Sequence, residues 1–145
     1  MLKFVKIGQQ TPPKRDVGTR KDDFNEIYDE FINQKAKEQS SRCSQCGVPF
    51  CQIHCPLSNN IPDWLKLTAE GRLKEAYELS QSTNNMPEVC GRICPQDRLC
   101  EGNCVIEKSG HGTVTIGSME KYITDNAWEQ GWVKPIEVKY EKDQS

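Results

Sequence analysis

The sequence predicts an all-α domain in which short helices frame two cysteine-rich loops. Apolar residues recur at helical spacing in three stretches, about 22–40, 61–80 and 116–128, and little of the chain reads as strand. Eight cysteines fall into two compact groups between positions 43 and 104. Only 35% of the 145 residues are apolar, and the mean hydropathy is −0.75. A chain with so modest an apolar supply gains from a bound metal, whose binding free energy adds to folding.

Composition excludes several function classes. Lys+Arg 19 against Asp+Glu 21 leaves a formal charge of −2, which rules out a strongly basic nucleic-acid binder. No apolar run approaches the ~18 residues needed to span a bilayer. The opening Met1-Leu-Lys-Phe-Val-Lys-Ile-Gly8 has no extended apolar region of the kind a secretory signal carries. A cytoplasmic, reducing setting is therefore expected, where clustered cysteines serve as thiolate metal ligands rather than as disulfides.

Taken in order, residues 1–21 read as an extended arm, because Thr11-Pro12-Pro13 resists helix. Residues 22–133 read as one domain, and 134–145 as a charged tail or a linker stub. Within the domain, Asp22 or Asp23 is suited to cap a helix over 22–40, with Phe24, Ile27, Tyr28 and Phe31 as its apolar stripe. A helix pair follows over 61–80: Pro62 suits a first turn, and Gly71 marks the break. Residues 81–85 form a turn. After a loop containing Gly110 and Gly112, a last helix runs from Ile116 to Trp128 and is stopped by Gly131.

The first cysteine group is Cys43-x2-Cys46-x4-Cys51-x3-Cys55-Pro56. The second is Cys90-x3-Cys94-Pro95-x4-Cys100-x3-Cys104. Three close cysteines with a fourth before proline is bacterial-ferredoxin spacing, in which that fourth cysteine serves the other cluster. A short loop wraps three corners of a cube, and a distant segment must reach the fourth. Two cubane clusters need eight ligands, and on spacing alone Cys90 would be the eighth. Zinc is the rival, but it favours paired short knuckles, and only Cys43/Cys46 is a standard one.

Glu120 is the other candidate. At 100° per residue it lies about 40° from Ile116, inside the apolar face that Ile116, Ile123 and Ala127 define. A carboxylate there must be paired, protonated or bound to metal; the plainer alternative is a part-exposed glutamate at the edge of the stripe. Arg92 and Arg98 flank cysteines and could donate to thiolate or simply be solvated. His54, beside Cys55, could ligate metal, but because cysteines already suffice it reads as a surface residue or a support for its neighbour; His111 reads as exposed, and Trp128 and Trp132 as core or docking contacts.

These segments together resemble a known domain. Cys43-Ser-Gln-Cys46-Gly-Val-Pro-Phe-Cys51, His-Cys55-Pro-Leu-Ser-Asn-Asn-Ile-Pro62, Pro87-Glu-Val-Cys90-Gly-Arg-Ile-Cys94-Pro-Gln-Asp-Arg-Leu-Cys100-Glu-Gly-Asn-Cys104 and Val114-Thr-Ile-Gly-Ser-Met-Glu120 carry the likeness. They resemble the N-terminal iron–sulfur domain of NADPH-dependent glutamate synthase small (beta) subunits. The same domain type opens dihydropyrimidine dehydrogenase and the large subunit of an electron-bifurcating NADH-dependent ferredoxin:NADP oxidoreductase. The likeness spans about residues 20 to 133.

The resemblance implies a helical ferredoxin fold with two [4Fe-4S] clusters. By position it assigns Cys43, Cys46, Cys51 and Cys104 to one cluster, and Cys55, Cys94, Cys100 and Glu120 to the other. In the dehydrogenase relatives the position of Glu120 is a Gln. Cys90 becomes a non-ligand beside the second cluster. The implied role is an electron relay within an oxidoreductase of glutamate biosynthesis, from NADPH and FAD towards the glutamate synthase large subunit. FAD and NADPH would sit in further domains or a partner, because this chain has no Gly-x-Gly-x-x-Gly fingerprint. The chain alone is not expected to be catalytic. A free-standing ferredoxin-like module, or a zinc-stabilised interaction module for another oxidoreductase, is the alternative.

Overall fold

A computed structural model describes residues 1–135 and 137. Among them there are eight α-helices, a 3-10 turn at Lys3–Val5 and no strand beyond one isolated bridge between Lys14 and Tyr28. The helices are α1 (Val17–Asp22), α2 (Asn33–Ser40), α3 (Phe50–Ile53), α4 (Ile61–Glu70), α5 (Leu73–Gln81), α6 (Pro87–Ile93), α7 (Val105–Lys108) and α8 (Ile116–Glu129). The all-α architecture is the predicted one. Most of the tail expected over 134–145 lies outside the described residues.

The helix pair and the last helix form where their periodicity places them. Pro62 lies in the first turn of α4, and Gly71 ends it in the left-handed region at φ 81°. Trp64 and Leu65 of α4 and Ala76 and Tyr77 of α5 are buried in the core. They pack with Met119, Ile123 and Ala127 of α8, the central helix, which α2, α4, α5 and α6 all touch.

The helix expected over 22–40 forms only at its end. Asp16 caps α1, accepting from the Gly18 and Thr19 amides, and the chain turns extended at Asp23. The Asp23 carboxylate accepts from the Asn25 amide at 2.9 Å and from the Arg15 guanidinium. This local side-chain turn competes with helix. Residues 13–15 then pair with 27–29: Arg15 N donates to Ile27 O at 2.9 Å and Asp29 N to Pro13 O at 2.8 Å. The expected stripe is therefore broken up. Phe31 is buried, but Phe24 is fully exposed and Ile27 and Tyr28 are half exposed.

Residues 1–10 lie against α2 and the segment after it. Leu2 N donates to Cys43 O, and Gln10 N to the Gln39 side chain. Arg42 locks this arrangement. Its guanidinium is fully buried and donates to the carbonyls of Ile7, His111, Gly112 and Thr113.

One close crossing positions the second cysteine group. At Gly91 of α6 an added Cβ would lie 2.7 Å from the Lys121 amide nitrogen and 3.0 Å from Gly117 O, both backbone atoms of α8. Only glycine allows α6 to approach α8 this closely.

Candidate metal centre

The cysteines ring two largely apolar recesses that meet at the start of α8. The first is lined by Cys43, Cys46, Cys51 and Cys104. Cys43 and Cys46 are brought together by Gln45, which takes left-handed backbone at φ 53°. The Gln45 side chain donates to Pro62 O at 2.7 Å and to Cys43 Sγ at 3.4 Å. The Ser44 hydroxyl lies 3.0 Å from Cys46 Sγ. Cys51 comes from α3, and Cys104 from the position preceding α7.

The second recess, of about 300 Å³, is lined by Cys55, Cys94, Cys100 and Glu120, with Cys90 as a fifth donor. Cys90 sits on α6, Cys94 caps its end, and Glu120 comes from the buried face of α8. Asn84 Nδ2 donates to Glu120 Oε1 at 3.1 Å. Ile116 forms a wall of both recesses, so one side chain separates them.

The electrostatics are those of thiols removed from water and crowded together. Burial pushes the Cys51 thiol up to about 12, and the charges of Cys43, Cys104 and Cys46 add to the rise. In the second recess burial pushes Cys94 up to about 11, with Cys90, Glu120 and Cys55 contributing. Cys43 and Cys100 are raised by burial as well. Burial also lifts the Glu120 carboxyl to about 7, partly offset by its bond from Asn84. Without a cation, buried anions at these positions are unfavourable; bound iron would reverse that balance, because a cation favours the deprotonated donors. The donor sets thus fit iron–sulfur clusters. Among the described residues no three such side chains close on the single point that one ion would need.

Other candidates lie away from the recesses. His54 and Arg98 are exposed, as is most of Trp128. Arg92 does not serve a thiolate; it joins Glu26 to Asp125 across α6 and α8. His111 is exposed, with its ring edge-on to Phe4 and its Nδ1 3.0 Å from Ser109 Oγ. Sequence reading missed Asn84, Arg42 and the shared wall at Ile116. For Arg42 the adjacent Cys43 was the available signal; nothing local distinguished Asn84.

A small all-α scaffold that offers buried thiols around two adjoining recesses is of the iron–sulfur class. The chain belongs to the family described as dihydropyrimidine dehydrogenase domain II, 4Fe-4S cluster, whose model matches residues 20–132. It is 72% identical over 135 residues, 93% of its length, to the glutamate synthase [NADPH] small chain of Azospirillum brasilense. It is 52% identical over 132 residues to the protein of that name from Escherichia coli K12, and 40% identical over 141 residues to that of Bacillus subtilis 168. The chain spans 28% of the length of each of these relatives. No described helix is long and apolar enough to cross a membrane.

Proposed function

We propose that the chain is the electron-relay domain of a glutamate synthase small subunit and holds two [4Fe-4S] clusters. Cys43, Cys46, Cys51 and Cys104 would hold the first, and Cys55, Cys94, Cys100 and Glu120 the second. Electrons would pass from NADPH and FAD, bound in further domains, through this cytoplasmic module towards the large subunit, for glutamate synthesis. The observation that carries the reading is the separation of these eight donors into two recesses divided by Ile116.

Iron–sulfur clusters would supply one-electron chemistry here. The chain's own residues hold, orient and insulate. The raised thiols lose their protons when they bind metal, so loading releases protons. Asn84 fixes one oxygen of Glu120 and leaves the other free to ligate. Gln45 and Ser44, placed beside Cys43 and Cys46, supply hydrogen bonds to sulfur of the kind that tune cluster potentials. Buried Val114, Ile116 and Leu65 keep water from the first recess.

The test is a count of iron, zinc and acid-labile sulfide per chain in protein purified without oxygen. About eight iron and eight sulfide are expected for two cubanes. About two zinc with no sulfide would overturn the reading in favour of a structural module.

A further inference from the structure

Five donor side chains line the second recess, one more than the cubane proposed for it can use. Cys90 is the surplus, and backbone geometry puts it there. Cys90 and Cys94 lie one helical turn apart, with Cys94 N bonded to Cys90 O at 3.4 Å. Both side chains line the second recess. The close crossing at Gly91 does the rest. Cys90 precedes Gly91, Glu120 precedes Lys121, and Gly91 stands against Lys121 backbone to backbone. The crossing therefore carries Cys90 and Glu120 to one wall of the recess. Cys90 is a free, half-buried thiol.

We propose that Cys90 is a reserve ligand of the second centre, taking the fourth iron when the Glu120 carboxylate is withdrawn. This rests on the two-cluster reading and its ligand set. Thiolate is the softer donor and suits an iron–sulfur cluster better than carboxylate does. Glu120 holds the position by placement instead: Asn84 fixes its Oε1, and no described residue donates to Oε2. In the exchange one iron–oxygen bond breaks and one iron–sulfur bond forms. The proton leaves the Cys90 thiol and is taken up by the freed carboxylate. No oxidation state changes.

The test uses the full chain, loaded with iron and kept anaerobic, as wild type, Cys90→Ala, Glu120→Ala and the double variant. Iron and sulfide are counted, reduced-state electron paramagnetic resonance is recorded, and alkylated cysteines are mapped by mass. Wild type and Cys90→Ala should hold about eight iron with the same spectrum. Glu120→Ala should keep about eight, with the second signal altered and its potential lowered. The double variant should fall to about four, the intact first signal showing that it is folded. Cys90 should alkylate in wild type and be protected in Glu120→Ala, a readout that does not depend on the double variant folding.

A fall to about four iron in Glu120→Ala, or Cys90 alkylating equally in both proteins, would overturn the proposal. So would eight iron in the double variant. Loss of the second centre in Cys90→Ala would make Cys90 the ordinary ligand and overturn the ligand set as well. Zinc in place of iron and sulfide in the wild type would instead defeat the underlying reading, whatever the variants do.

Discussion

Replacing Gly91 by alanine sets two effects of opposite sign against each other. Within a helix, alanine is better than glycine by about 1 kcal/mol. Here the new methyl would stand 2.7 Å from Lys121 N, 3.0 Å from Gly117 O and 3.1 Å from Lys121 Cα. All three are backbone atoms and cannot rotate away. Ordinary contact begins at 3.4 Å, so α6 and α8 must part by 0.7 Å (3.4 minus 2.7). Overpacking of this kind costs about 1–3 kcal/mol, and three simultaneous backbone contacts put it at the upper end. The net loss is about 2 kcal/mol, close to a 30-fold change in an equilibrium. On the two-cluster reading it would fall on the second centre, because the parting moves Cys90 and Cys94 away from Glu120. In competition with a chelator, Gly91→Ala should release the second centre's iron about 30-fold more readily and leave the first unchanged. Gly47→Ala is the control: it adjoins Cys46, but nothing lies within 4 Å of its added methyl. Wild-type retention of iron in Gly91→Ala, or equal weakening of both centres, would refute the reasoning.

Two further predictions concern buried charge. In metal-free protein burial lifts the Glu120 carboxyl from 4.5 to about 7, so the folded state holds this proton more tightly than the unfolded chain. That contribution to stability is fully present below about pH 4.5 and is lost as pH rises through about 7, a change of roughly 3 kcal/mol. Urea midpoints of wild type and Glu120→Gln should therefore separate across this window, the variant becoming the more stable; parallel profiles would refute it. Arg42→Met strips the donors from four carbonyls, and buried acceptors left unpaired cost about 1–3 kcal/mol each before water repairs some of them. Hydrogen exchange in residues 1–10 and 109–114 should rise sharply, with only partial rescue by Arg42→Lys, whose ammonium lacks the guanidinium fork. Unchanged protection there would show that Arg42 is not the lock.

Helices α4, α5 and α8 were legible because their apolar residues repeat at the helical period and Pro62, Gly71 and Gly131 punctuate them. The segment from 23 to 32 was not. Its apolar spacing is helical, but Asp23 satisfies the Asn25 amide with its own side chain and is held by Arg15 from eight residues earlier. Periodicity measures what a helix would bury and is blind to such competitors. Short α3 and α7, inside or beside the cysteine groups, were hidden by loop-forming residues. Glu120 was legible as a carboxylate within the arc of an apolar face, because angular position on a helix is a local property; its burial was not, since a part-exposed place at the edge of the stripe fits the same angle. Its partner Asn84, 36 residues away, was not.

The sequence by itself determined the eight cysteines in two groups, the helical class, and a carboxylate within the arc of an apolar helix face. Each follows from residue type and from spacing within one or two turns. The resemblance already implied that Cys55 and Cys104 exchange groups; only the tertiary structure brings those side chains to shared recesses. Cys55 leaves its own group for the second recess and Cys104 leaves its own for the first, while Ile116 stands between them. It likewise brought Cys90 beside Glu120. That meeting depends on how closely two backbones approach at Gly91, and local spacing carries no record of such an approach.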